Sequence, residues 1–143
     1  MTSKEKKKVL ESFSEIERRI KELENELEVL WSRTTYTAQN FGSILQSGNG
    51  VSKVENAIEK IETIEKLIDE ERASLATIQQ RIMSAVRNLP NITERRIIHL
   101  KYIGKPYGSY HRTLPLWKIA NELGYSIDRI NHLHGDALRN LEI

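Results

Sequence analysis

Seven apolar residues near the start of the chain, Val9, Phe13, Ile16, Ile20, Leu23, Leu27 and Leu30, follow one another at spacings of 4, 3, 4, 3, 4 and 3. That alternation is a heptad seam, and Glu, Lys and Arg fill most of the positions between. It predicts a helix over about 4–33, roughly 45 Å long at 1.5 Å per residue. So narrow a stripe needs one or two partner helices more than it needs a broad core. A second long stripe supplies a partner: Val54, Ile58, Ile61, Ile64, Ile68, Leu75, Ile78, Ile82, Val86 and Leu89. Ser52 followed by Glu55 reads as a capping box that opens this helix, and Pro90 closes it, giving a helix over about 52–89. The stripe lapses at Glu71 and Arg72, as either a solvated stretch or a polar layer that sets register. Residues 34–50, between the helices, carry no charge and are rich in Thr, Ser, Asn, Gln and Gly. They predict a loop, broken at Ser47–Gly50, into which Tyr36 and Phe41 allow part of the first helix to continue.

After Pro90 the pattern shortens. Asn91 or Thr93 caps a third helix, with Glu94 in its first turn and Ile97, Ile98, Leu100 and Ile103 on its apolar side. Gly104–Leu114 reads as a loop, and Pro115 suits the first turn of the next helix. From Leu116 to Leu141 the residues spell a helix-turn-helix. Leu116, Ile119, Ala120 and Leu123 form one stripe, Gly124 makes the turn, and Ser126 caps a second helix with Ile130, Leu133, Ala137, Leu138 and Leu141 inside. Gly135, within that helix, costs about 1 kcal/mol against Ala, which close packing or a backbone approach would explain. The fold class is all-α. A two-helix coiled-coil arm (1–89) precedes a three-helix head (90–143).

Composition narrows the function. With 38% apolar and 29% charged residues, the chain suits long solvated helices better than one thick core. No apolar run is long enough to span a bilayer. Met1–Lys8 is basic but leads straight into the charged amphipathic segment, unlike a secretory leader. No cysteine is present, which removes disulfides, thiol nucleophiles and thiolate metal sites. The net charge of +2 is unevenly spread. Residues 1–33 hold 8 Lys/Arg against 8 Asp/Glu and residues 51–88 hold 6 against 7, whereas residues 89–143 hold 8 against 5 with all four histidines. The basic excess thus lies in the head, where it favours contact with phosphate.

The head resembles region 4 of bacterial sigma factors. Thr93-Glu94-Arg95 with Leu100-Lys101-Tyr102 resembles that region's first helix. Trp117 to Gly124 resembles its supporting helix, and Ser126 to Leu141 its recognition helix. More narrowly, Tyr102, Trp117, Ile119-Ala120, Gly124-Tyr125-Ser126, Leu133-His134 and Ala137-Leu138 resemble small proteins of phages and prophages of Gram-positive bacteria, among them the ArpU/RinA-like late-gene transcriptional regulators. The resemblance implies a sequence-specific DNA-binding regulator acting in the bacterial cytoplasm. Nothing resembles the sigma region that grips core polymerase, so a complete sigma factor is not implied.

In a helix-turn-helix the second helix enters the major groove by its N-terminal part. Off the apolar face stand Ile127, Asp128, Arg129, Asn131 and His132, the candidate groove readers. Arg129 suits guanine, Asn131 adenine, Asp128 a cytosine amine and Ile127 a thymine methyl. Ser126, as N-cap, offers backbone N–H groups to a phosphate. Arg95, Arg96, Lys101, Lys105, Arg112 and Lys118 are further candidate phosphate anchors. His132 and His134 are two apart and point to different helix faces, so they do not share a metal ion, and His99 and His111 have no ligand partners in metal spacing. No nucleophile motif, phosphate loop or cofactor signature is present, so no enzyme, cofactor or small-molecule substrate is expected. The expected partners are double-stranded DNA, a second copy of the chain joined through the arm, and RNA polymerase. Two other classes share the pattern: a small terminase-like packaging subunit, and an adaptor that binds polymerase or a host protein. The arm helices are free to pair within one chain or between two.

Overall fold

The computed structural model describes the backbone of residues 1–39 and 50–143, and side chains over 1–35 and 53–143. The fold is all-α, with one small hairpin. Helix α1 spans Ser3–Gln39 and α2 spans Gly50–Arg87. They are followed by α3 (Ile92–Ile98), which runs on into a π-helical turn over His99–Ile103. Next come strands β1 (Lys105–Tyr107) and β2 (Tyr110–Arg112), then α4 (Leu116–Leu123) and α5 (Ile127–Asn140).

Three boundaries depart from expectation. The first helix runs past the expected end near 33 as far as Gln39, into the part of 34–50 where the sequence allows a helical continuation. α2 begins at Gly50, ahead of the Ser52 capping box. The side chains of Tyr36, Phe41 and Ser52 and the break at Ser47–Asn49 lie outside the described residues. The third departure is in the predicted loop 104–114, which contains an antiparallel hairpin pairing Lys105 with Arg112, Pro106 with His111 and Tyr107 with Tyr110.

The chain divides into two compact units, Arg18–Ala73 and Met1–Glu17 with Ser74–Ile143. The first is an antiparallel hairpin of α1 and α2 whose helices pair within one chain. Ile20, Ile61, Ile64 and Ile68 are buried along the seam, Leu23, Leu27 and Leu30 are half-buried, and Ile58 is exposed. Where the stripe of α2 lapses, Glu71 accepts from Arg19 at 3.3 Å and Arg72 reaches Glu24 at 2.9 Å. Exposed pairs of this kind are worth at most about 1 kcal/mol each, and these side chains remain largely solvated. The polar lapse is therefore a cross-helix charge layer.

The second unit takes in more than residues 90–143. Its larger core joins Leu10 and Phe13 of α1 and Ile82, Val86 and Leu89 around the end of α2 to Ile98, Tyr102, Ile103, Leu138 and Leu141. Its smaller core is the helix-turn-helix seam of Ile97, Ile119, Ala120, Ile130 and Leu133. α3 serves both through the adjacent Ile97 and Ile98, one in each core, and the π turn keeps the residues that follow buried. Ile97 and Ile98 lie five residues before Tyr102 and Ile103, and all four are buried. In an α-helix, residues five apart diverge, whereas a widened i→i+5 turn brings them back to one side. Gly104 N–H closes that turn on His99 C=O at 2.8 Å.

Candidate nucleic-acid interface

The site is built from the turn outwards. α4 buries Ile119 and Ala120 and ends at Gly124, whose φ of 73° and ψ of 30° are left-handed. The amides of Gly124 and Tyr125 both donate to the Ala120 carbonyl, the latter at 3.0 Å. This is a Schellman-type end, and the left-handed φ is why glycine stands there. Two residues later Ser126 is extended, and its Oγ accepts from Arg129 N–H at 3.2 Å, capping α5 as the sequence implied. Asn91 does the same for α3, accepting from the amides of Thr93 and Glu94. Asp128, in the first turn of α5, complements the helix dipole.

Ile130, Leu133, Ala137 and Leu138 point inwards, which turns Ile127, Asp128, Arg129, Asn131 and His132 to the exterior. Ile127, with 44% of its surface exposed, is an apolar residue left in water at the start of the helix. His132 Nδ1 lies 2.8 Å from the Asp128 carbonyl. A carbonyl only accepts, so Nδ1 is the donor in that contact. Gly135 is not explained by packing: a Cβ there would be in ordinary contact with Arg139 Nη1 at 3.6 Å.

The flanking candidates separate into near and far. Lys118 is exposed on α4, its Nζ 5.6 Å from the Trp117 ring. Arg112 is exposed on β2 and stacks its guanidinium 3.5 Å over Tyr107. Arg95 stands apart. Its Nη2 donates to the Pro90 carbonyl at 3.5 Å and its Nε is buried without a partner. Its neighbour Glu94, itself buried, accepts from Asn140 Nδ2 at 3.3 Å, at the far end of α5 from Ser126. At 1.5 Å per residue, that end is about 20 Å from Ser126.

Three supports of the site had no signal in the sequence. Lys6 Nζ, from the first turn of α1, donates to the carbonyls of Leu138 and Arg139 at 3.0 and 3.2 Å, satisfying the C-terminal end of α5. Glu17 accepts from both the amide and the ring Nδ1 of His111, at 3.0 and 2.7 Å. His134 turns inward, away from His132, and its Nε2 shares a 2.7 Å hydrogen bond with Tyr102 Oη.

No family model, curated protein or solved structure matches the chain. Among the described residues, no group of three or more His, Cys, Asp or Glu is placed to hold a metal ion. None of the described helices is long and apolar enough to cross a membrane.

Burial, with Lys101 and Lys7 nearby, pushes His134 down to about 4 from its ordinary 6.5, and burial raises the Tyr102 hydroxyl above its usual range. His99 is lowered too, by burial and then by His111. The unfolded chain binds the His134 proton below about 6.5 and the folded one only near 4, so folding is most favoured above that window. Unfolding free energy should therefore decline as pH falls from 6.5 towards 4. After allowance for solvent screening, the loss from this group is on the order of 1–2 kcal/mol. His134→Gln, which still offers Tyr102 an acceptor, should flatten that slope in urea titrations across the window. An unchanged slope would assign the effect to other groups.

Proposed function

We propose that the chain is a sequence-specific DNA-binding transcriptional regulator of phage or prophage type. The observation that carries this reading is the helix-turn-helix itself. A left-handed glycine turn and a serine cap present Ile127, Asp128, Arg129, Asn131 and His132 on the outer side of α5, over a buried seam. Those side chains offer the donors, acceptors and methyls that base edges in the major groove require. Lys118 and Arg112 provide cations for the backbone, and phosphate contacts position the reader without specifying sequence.

In this reading the arm joins two copies. The α1–α2 hairpin keeps an open groove of about 880 Å³ lined by Leu23, Val29, Leu30, Ile64 and Leu67. Glu26 and Glu59 line the same groove with Arg33 and Lys60, so both charge signs are present on one patch, as a two-fold self-association needs. Tethering two weak heads makes the second contact intramolecular and raises affinity by ~10²–10⁴ without a new contact.

Selection of duplexes from a random-sequence pool by the full-length chain, with light scattering on the same sample, tests the reading. A consensus bound by a dimer is the expected result. Arg129→Ala and Asn131→Ala should each weaken binding to the selected duplex by roughly 1–3 kcal/mol while leaving thermal melts unchanged. Unaltered binding by the double variant would defeat groove reading. A wild type that binds no duplex at low salt would favour a protein-binding adaptor, and a ring-sized oligomer would favour a packaging subunit.

A further inference from the structure

The hairpin between α3 and α4 has two unlike faces. Residues opposite each other across an antiparallel pair share a face, and alternate residues along a strand swap faces. Pro106 and His111 therefore form one face, and Lys105, Tyr107, Tyr110 and Arg112 the other. The first face is fastened down at His111, while Pro106 is exposed. The His111 ring packs edge-on against Phe13 with centroids 5.5 Å apart, and both Glu17 carboxylate oxygens are taken up by His111. An isolated two-stranded hairpin is marginal in water. This one is held by a buried aromatic contact and a carboxylate clamp.

The second face is turned out and has a definite chemistry. Tyr107 is 49% exposed, meets Tyr110 edge to face at 5.5 Å, and carries the Arg112 guanidinium 3.5 Å above its ring. Lys105, at the base of that face, pairs with Glu122 in the last turn of α4. The face thus borders the helix-turn-helix close to the Gly124 turn. Its surroundings are basic as well. From Gly104 to Asn121 the sequence contains Lys105, Arg112 and Lys118 and no carboxylate. Glu17 and Glu122 meet the hairpin at its inner face and its base, and Tyr107 and Arg112 are exposed.

We propose that this hairpin is a second DNA-contacting element, which lays Tyr107 and Arg112 on the sugar–phosphate backbone beside the stretch under α5. The inference rests on the DNA-binding reading above. A guanidinium, planar by its own resonance, is held in place by the ring it stacks on and keeps its outer N–H groups for phosphate oxygens. The tyrosine ring limits its rotamers, so little side-chain freedom is lost on binding. Because the ligand is backbone, the hairpin adds affinity and register and no base preference.

The test uses the full-length chain carrying Tyr107→Ser and Arg112→Gln, with labelled duplexes of random sequence and of the selected sequence, over a salt series. Affinity should fall roughly five- to tenfold on both kinds of duplex alike. The slope of log K against log salt should become shallower by about 0.9 for each phosphate that the variant leaves unneutralised. Arg112→Gln alone, which keeps both tyrosines, carries the same slope test should the double variant melt early. Equal affinity and slope for variant and wild type would overturn the hairpin's role while leaving the groove-reading model standing. A loss confined to the selected sequence would overturn the assignment to backbone. A wild type that binds neither duplex would overturn both readings together.

Discussion

Phe13→Ala is expected to destabilise the unit that carries the helix-turn-helix by about 3–5 kcal/mol, the range for emptying a fully buried aromatic site. The residue lies more than a hundred positions before α5. Yet its side chain is wholly buried in the same cluster as Ile98, Tyr102, Leu138 and Leu141, and its ring also seats His111. Removing the ring leaves a cavity in a core shared by α1, α2, α3 and α5, and collapse into it would have to drag a helix along. The check is amide hydrogen exchange at Ile130, Leu133 and Ala137 in the full-length chain, read alongside urea unfolding. Protection at those amides should drop as if α5 itself had been mutated. Leu23→Ala, in the arm and only half-buried, should leave them nearly unchanged. Equal loss from both substitutions would mean that the two units unfold as one. No loss from Phe13→Ala would mean that residues 90–143 fold without α1.

That dependence shows where sequence reading stops. The heptad spacing from Val9 to Leu30 establishes a helix with one apolar side, and periodicity carries no information about which partner covers it. Leu10 and Phe13 meet the helix-turn-helix unit while Leu23 and Leu27 meet the arm, along a single uninterrupted seam. The rule even names the wrong neighbour at one point. It places Val9 inside, whereas Leu10 is fully buried and Val9 half-buried, because a broad core covers more of the helix than a two-stranded seam does. Local chemistry was readable for the opposite reason. Gly124, Ser126 and Asn91 act on groups within a few residues of themselves, so their types alone announce a helix end or a cap. The π turn and the hairpin were not. A five-residue spacing of buried pairs matches neither the helical nor the strand period. Strands of three residues, one of them holding a proline, are too short to show alternation. The outward row on α5 was legible as a row. The Glu17 and Lys6 supports were not, since each joins residues about a hundred positions apart.

Among the glycines whose surroundings are described, Gly104 should be the one most damaged by an added methyl, with Gly104→Ala costing about 3 kcal/mol or more. Two independent costs coincide there. Its φ of 89° and ψ of −170° fall in a region that is essentially reserved for glycine. An added Cβ would also run into the Arg112 carbonyl and lie 2.6 Å from Thr113 N. Those are backbone atoms of the returning strand, so no side-chain rotation relieves the clash, and the hairpin must separate from the π turn that Gly104 closes on His99. Gly124→Ala provides the comparison, since its φ of 73° is also left-handed but nothing lies within 4 Å of the new methyl. It should carry only the conformational cost of roughly 1–2 kcal/mol. Denaturant midpoints for the two variants should therefore separate clearly, with Gly104→Ala the lower. Only that variant should lose the ring packing between Phe13 and His111, visible as a change in the His111 ring signals. Coincident midpoints would show that the strand gives way without cost, and would remove the reason for holding the hairpin to be a rigid platform.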